Sequence, residues 1–153
     1  MPHDAFSPLH LADAALLRPS AWERRWMFLP VAGWFVSGML YCDRVQLARI
    51  DVRRQLASRS HFPSEAWDAI DLSSERAEVV CRLIALCFVL PNHFFLPNDP
   101  NSLLFLDQDG IGPIDITMKI KDRLGVELLG RPNLFKGVLA DFVSQIYPAL
   151  VAA

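Results

Sequence analysis

The chain has 153 residues, 52% hydrophobic and 21% charged, with a mean hydropathy of +0.24, which excludes extended disorder. Net charge is −2 but unevenly divided: eight arginines and five acids lie in residues 1–60, seven basic and twelve acidic residues beyond. No continuous basic face is implied, so nucleic-acid binding is not expected, and the split points to two parts with different surroundings.

Residues 1–60 read as an N-terminal extension built around Trp26 to Cys42, seventeen residues without a charge. Arg24 and Arg25 precede this run, and Asp43 and Arg44 follow it. A membrane-spanning helix needs about 20 apolar residues, with about 17 as the lower limit. Trp26 and Tyr41 sit where interfacial aromatics belong, and Gly33 with Ser37 offers a small-residue helix contact. Pro30, Gly33 and Gly38 weaken a helix, so the run is expected to be a buried core helix or hairpin, with a span or re-entrant anchor as the alternative. The run starts late, after Asp4, Asp13 and Glu23, unlike a usual signal peptide. Arg44, Arg49, Arg53, Arg54 and Arg59 would hold the rest of a spanning chain in the cytoplasm, or else form a solvated helix face beside Val45, Leu47, Ile50, Val52 and Leu56.

Residues 61–72 read as a linker and short helix: SRSHFP is the link, SEAWDAI a helical turn, and Asp71 to Ser74 offer helix caps. A helix is predicted from Glu75 to Leu90, its early glutamates favouring the positive end of the helix dipole and Pro91 ending it. Pro91 to Gly112 is rich in turn formers, with Leu103 to Leu106 packing beneath the bundle. Pro113 suits a helix start, Ile116, Ile120 and Leu124 repeat every four residues, and Gly125 is a natural C-terminal cap. A last helix is predicted from Leu134 to Tyr147, stopped by Pro148.

Residues 73–148 thus run long helix, long loop, medium helix, short link and closing helix, and Asp109 to Leu128 reads DGIGPIDITMKIKDRLGVEL. The order and this segment resemble the acyl carrier proteins. The resemblance implies an all-α, acyl-carrier-like helical bundle with an apolar helical N-terminal extension. It places Asp109, Gly110 and Ile111 on the aspartate, attachment serine and leucine of the carrier motif. Glycine has no hydroxyl to take phosphopantetheine, and Thr117 lies two turns further on, so no cofactor is expected. Lys119, Lys121 and Arg123 stand where carriers show acids for their basic partners, which removes electrostatic steering toward them. Asp115, Lys119, Asp122 and Arg123 are the expected interaction surface. The implied function is a non-catalytic, carrier-like protein-interaction domain in the cytoplasm. The alternatives are a membrane-anchored protein of lipid or envelope assembly, making contact through Trp26 to Cys42, and a carrier using an atypical serine.

Ser102 is that serine, because Asn101-Ser102-Leu103 imitates the carrier motif, but LLFLDQDG after it lacks helical polarity. Asp107 to Gly110 resembles the centre of a calcium loop, yet Phe105 and Ile116 fall at positions that must supply oxygen ligands. His3, His10, His61 and His93 form no close group, and Cys42, Cys81 and Cys87 have neither metal spacing nor an even disulfide count, which fits a reducing compartment. With no recognisable nucleophile motif, an enzyme is not expected.

Overall fold

A computed structural model describes residues 7–106, 118, 121–122, 125 and 136–152. The protein is all-α. Among the described residues six helices are defined, and β-type pairing is limited to a bridge between Pro100 and Val138.

Helix α1 (Ala21–Trp26) starts in a capping box, with Ser20 and Glu23 each satisfying the other's backbone N–H. After a turn the chain reverses into α2 (Ala32–Ser58), whose two halves differ. In the C-terminal half Val45, Ala48, Val52 and Leu56 are buried at three- and four-residue spacing, while Leu47 and Ile50 are exposed. The N-terminal half is apolar on every side.

Helix α3 (Ser64–Asp68) is the turn predicted at SEAWDAI, and it buries Trp67, whose indole N–H donates to the Phe95 carbonyl at 3.0 Å. Helix α4 (Ser74–Phe88) lies close to its predicted span and buries Ala77, Val80, Cys81 and Ile84. The Asp68 carboxylate accepts from the Ser74 N–H at 3.0 Å at the start of α4, while the Ser73 side chain makes no capping bond. Val89 caps the helix in the left-handed conformation, so that it ends at Phe88, two residues before the predicted Leu90.

Leu103, Leu104 and Phe105 are buried, as Leu103 to Leu106 led us to expect, and Asn101–Leu104 forms a one-turn helix, α5. The last helix, α6 (Leu139–Ala152), differs from prediction at both ends. Gly137 has a positive φ and Val138 bridges Pro100, so the helix begins only at Leu139. Pro148 lies inside it rather than stopping it. Proline withholds one N–H from the carbonyl four residues earlier, and both Pro148 and Ser144 are exposed, so water can solvate that carbonyl.

One hydrophobic cluster joins Leu9, Val52 and Leu56 to Trp67, the buried face of α4, Phe95, α5 and Phe142, Val143 and Ile146 of α6. The cluster draws residues from the expected extension (1–60), the linker and short helix (61–72) and the expected carrier-like domain (73–148). Phe105 packs between Phe88 and Phe142, with ring centroids at 5.2 and 4.9 Å.

A buried ion pair closes the side of this core. Arg59 donates to both oxygens of Asp99, at 2.6 and 2.9 Å, and to the carbonyls of Phe94 and Ser7, each at 2.9 Å. Asp99 also accepts from the N–H groups of Leu9 and Leu96, at 2.9 and 2.7 Å. Arg59 thus departs from its expected place in a solvated arginine group; it is buried because every carboxylate and carbonyl it needs is supplied by the chain.

Candidate functional site

The hairpin of α1 and α2 carries the most unusual surface of the protein. Its arms meet where the Gly33 backbone packs on the Trp26 carbonyl, so closely that a β-carbon at position 33 would overlap that oxygen. At the base, Arg44 of α2 pairs with Glu23 of α1. The Glu23 carboxyl is held below its ordinary value, first by the Ser20 N–H and then by Arg44, against the opposing effect of desolvation. The turn between the arms includes Val31 at φ 66°, an uncommon conformation for a β-branched residue.

Between these fixtures the apolar run is turned outward. Phe28 is 87% exposed, Val31 82%, Trp34 81% and Phe35 62%; Trp22, Trp26, Met27, Leu29, Met39 and Tyr41 are exposed as well. Trp34, Phe35, Gly38, Met39, Tyr41 and Cys42 border an open groove of about 650 Å³. The buried helix or packed hairpin expected from the sequence is thus corrected in part. A hairpin forms, but α1 is too short to cover α2, and among the described residues the rest of the chain leaves the tip exposed. The spanning alternative is also corrected: among the described residues no helix is long and apolar enough to cross a membrane, since α2 turns charged from Asp43 onward.

The carrier-like positions fare differently. Asp109, Gly110, Ile111, Asp115, Lys119 and Arg123 lie outside the described residues. Asp122 is helical and exposed, and Gly125 takes φ 67° while its N–H donates to the Lys121 carbonyl at 2.8 Å. That is the left-handed helix end its position implied. Ser102 is exposed on α5, a single turn whose neighbours Leu103 and Leu104 are buried.

Polar clusters elsewhere are structural in character. His93 Nε2 lies 3.2 Å from Glu78 Oε1, and Arg82 holds the same oxygen at 2.7 Å. Arg82 first, and His93 after it, keep the Glu78 carboxyl below its usual range despite partial desolvation. Burial pushes the Cys81 thiol well up, helped by the charges of Asp99 and Glu78, which leaves it a neutral core group. Ser60 Oγ and His61 Nδ1 are 3.0 Å apart, but both side chains are exposed and neither is shielded from water. Among the described residues no group of three or more His, Cys, Asp or Glu is placed to hold a metal ion.

Sequence reasoning missed the Arg59–Asp99 pair, reading Asp99 as a turn former. A signal was present: Asp99 is the lone Asp, Glu, Lys or Arg between residues 83 and 106, and an isolated charge in an apolar stretch needs a buried partner. Comparison with protein families, curated proteins and solved structures finds no match to this chain.

Proposed function

We propose that the protein is a non-catalytic helical module that acts by contact, and that the tip of the α1–α2 hairpin is its contact surface. The observation that carries this reading is the outward turn of an uncharged, aromatic-rich run that gathers Phe28, Val31, Trp34 and Phe35 in one place, whereas the exposed apolar residues elsewhere, such as Leu47, Ile70 and Leu86, include no aromatic ring. Such a patch on a folded chain marks a surface that something else covers. Retention on a phenyl matrix tests it. The wild type is expected to elute later than Phe28→Glu/Phe35→Glu, whereas equal elution would mean that the tip is already covered.

The carrier-like reading belongs to the same proposal. In its support stand α4 and α6, which pack together and are separated by a long connection, and the resemblance of Asp109 to Leu128. With glycine at 110 the domain would carry no prosthetic group, and its work in the cytoplasm would be protein contact. Co-expression with a phosphopantetheinyl transferase, followed by intact-mass measurement, is expected to leave the mass unchanged. A gain of the prosthetic group's mass, abolished by Ser102→Ala, would make the chain a working carrier instead. The exposed tip favours a second reading, attachment to a membrane.

A further inference from the structure

We infer that the α1–α2 tip is an interfacial insert that seats the protein on a bilayer rich in anionic phospholipid. This rests on the contact reading above and names what the tip contacts. Four properties of the hairpin point to lipid.

The first is depth. The uncharged part of α2, from Ala32 to Cys42, is eleven residues long, or about 16 Å of helix. That is about half of a hydrocarbon core about 30 Å thick. The tip can therefore enter the acyl region of one leaflet and cannot reach the other.

The second is the backbone. Hydrocarbon offers no hydrogen-bond partners, so an inserted turn must satisfy its own peptide groups. Here the N–H groups of Met27, Leu29, Ala32, Gly33 and Phe35 all donate to carbonyls within the hairpin, and Pro30 has no N–H. From Met27 to Phe35 five of eight N–H groups are thus satisfied by backbone carbonyls of the hairpin, those of Phe28, Val31 and Trp34 not being among them.

The third is shape. Phe28 and Val31 crown the turn, Trp22 and Met27 stand on the α1 arm, and Trp34 and Phe35 on the α2 arm, all exposed. A rigid protein partner covers one face of such a projection. A fluid bilayer covers every face at once.

The fourth is charge. Between residues 18 and 49 there are five arginines and two acids, and one of those acids, Glu23, is occupied by Arg44. Arg24 and Arg25, exposed at the end of α1, make no ion pair among the described residues. With the tip inserted, their long side chains can extend from the α1 arm toward the phosphates, whose oxygen pairs suit a guanidinium. Tyr41 stands near the end of the uncharged part of α2, where an amphipathic ring is favoured.

The test uses the full-length protein and unilamellar vesicles of phosphatidylcholine, with or without about one-third phosphatidylglycerol. The protein is expected to float with the anionic vesicles and less with the neutral ones, and added salt should weaken the binding. Phe28→Glu/Phe35→Glu should weaken it at least about tenfold. Arg24→Gln and Arg25→Gln should each cost about fivefold on anionic vesicles. Both phenylalanines are exposed, so the fold should survive; unchanged circular dichroism checks this. Brominated acyl chains provide a reading on the wild type alone: fluorescence from the exposed Trp22, Trp26 and Trp34 should be quenched, leaving the buried Trp67 as residual emission. Failure to float with anionic vesicles, or floating that the glutamates leave unchanged, would overturn the lipid proposal. A concentration-dependent dimer that forms without lipid binding and is dissolved by those glutamates would also overturn it, while the contact reading would stand. Equal elution from the phenyl matrix would remove both.

Discussion

Asp99→Asn is the most severe test of how this fold is held together. Asp99 is fully buried, and its two oxygens receive two bonds from Arg59 and one each from the Leu9 and Leu96 N–H groups. Asparagine is nearly the same shape but supplies one acceptor oxygen. Either amide orientation turns an NH₂ group toward one Arg59 nitrogen and one backbone N–H, and the guanidinium remains buried without its countercharge. Breaking such a pair from one side costs about 3–5 kcal/mol. For a chain of this length that lowers Tm by roughly 6–20 °C. It is also a large part of a typical total stability of about 5–15 kcal/mol. Urea unfolding followed by circular dichroism measures the cost directly. Arg59→Met removes the charge that asparagine cannot answer, so the double variant should be less destabilised than the two single costs combined, by about 0.5–3 kcal/mol. Strict additivity, or an Asp99→Asn cost below about 1 kcal/mol, would refute the claim that this pair closes the core.

Three further outcomes are expected. Gly33→Ala should cost about 1–3 kcal/mol and open the hairpin, detected as faster proteolysis between α1 and α2, because the new methyl meets the backbone of Trp26. Gly38→Ala, with nothing within 4 Å, is its control and should stabilise the helix by about 0.5–1 kcal/mol. Among the thiols, exposed Cys42 should label with a maleimide in the native protein, whereas buried Cys81 should label only on unfolding. Equal rates would show that the α4 face opens freely. Glu78 titrates below its ordinary 4.5, so the native state binds fewer protons than the unfolded chain; its contribution is complete above about pH 4.5 and fades as pH falls through the lowered native value. Because Arg82 and Glu78 are partly exposed, that contribution is under about 1 kcal/mol. Arg82→Gln should move the Glu78 midpoint, followed by NMR, back toward 4.5.

What the sequence disclosed followed from local rules. Helix α4 was legible because its apolar residues keep helical spacing and Pro91 follows, and Trp67's helix was legible from SEAWDAI. The end of α2 was harder: Arg59 sits in a polar stretch that reads as a linker, and only an acid forty residues away makes it a core residue. Pro148 misled because its effect depends on whether Ser144's carbonyl faces water, a fact of tertiary placement. The apolar run from Trp26 to Cys42 was legible as apolar. Its exposure was not, since hydrophobicity alone does not state whether the covering surface belongs to the same chain. The carrier-like segment from Asp109 to Leu128 lies almost wholly outside the described residues and rests on resemblance.

The Leu9–Asp99 bond joins positions ninety apart in sequence, and Arg59 reaches back to Ser7 and forward to Asp99. The hairpin, by contrast, is closed by partners twenty-one apart. During synthesis the hairpin can therefore form as soon as α2 leaves the ribosome, while the core waits for Phe142 and Ile146 of α6. For that interval Val52 and Leu56 are without the partners that bury them in the finished core. The contacts that close the hairpin are thus local, and those that close the core span nearly the whole chain.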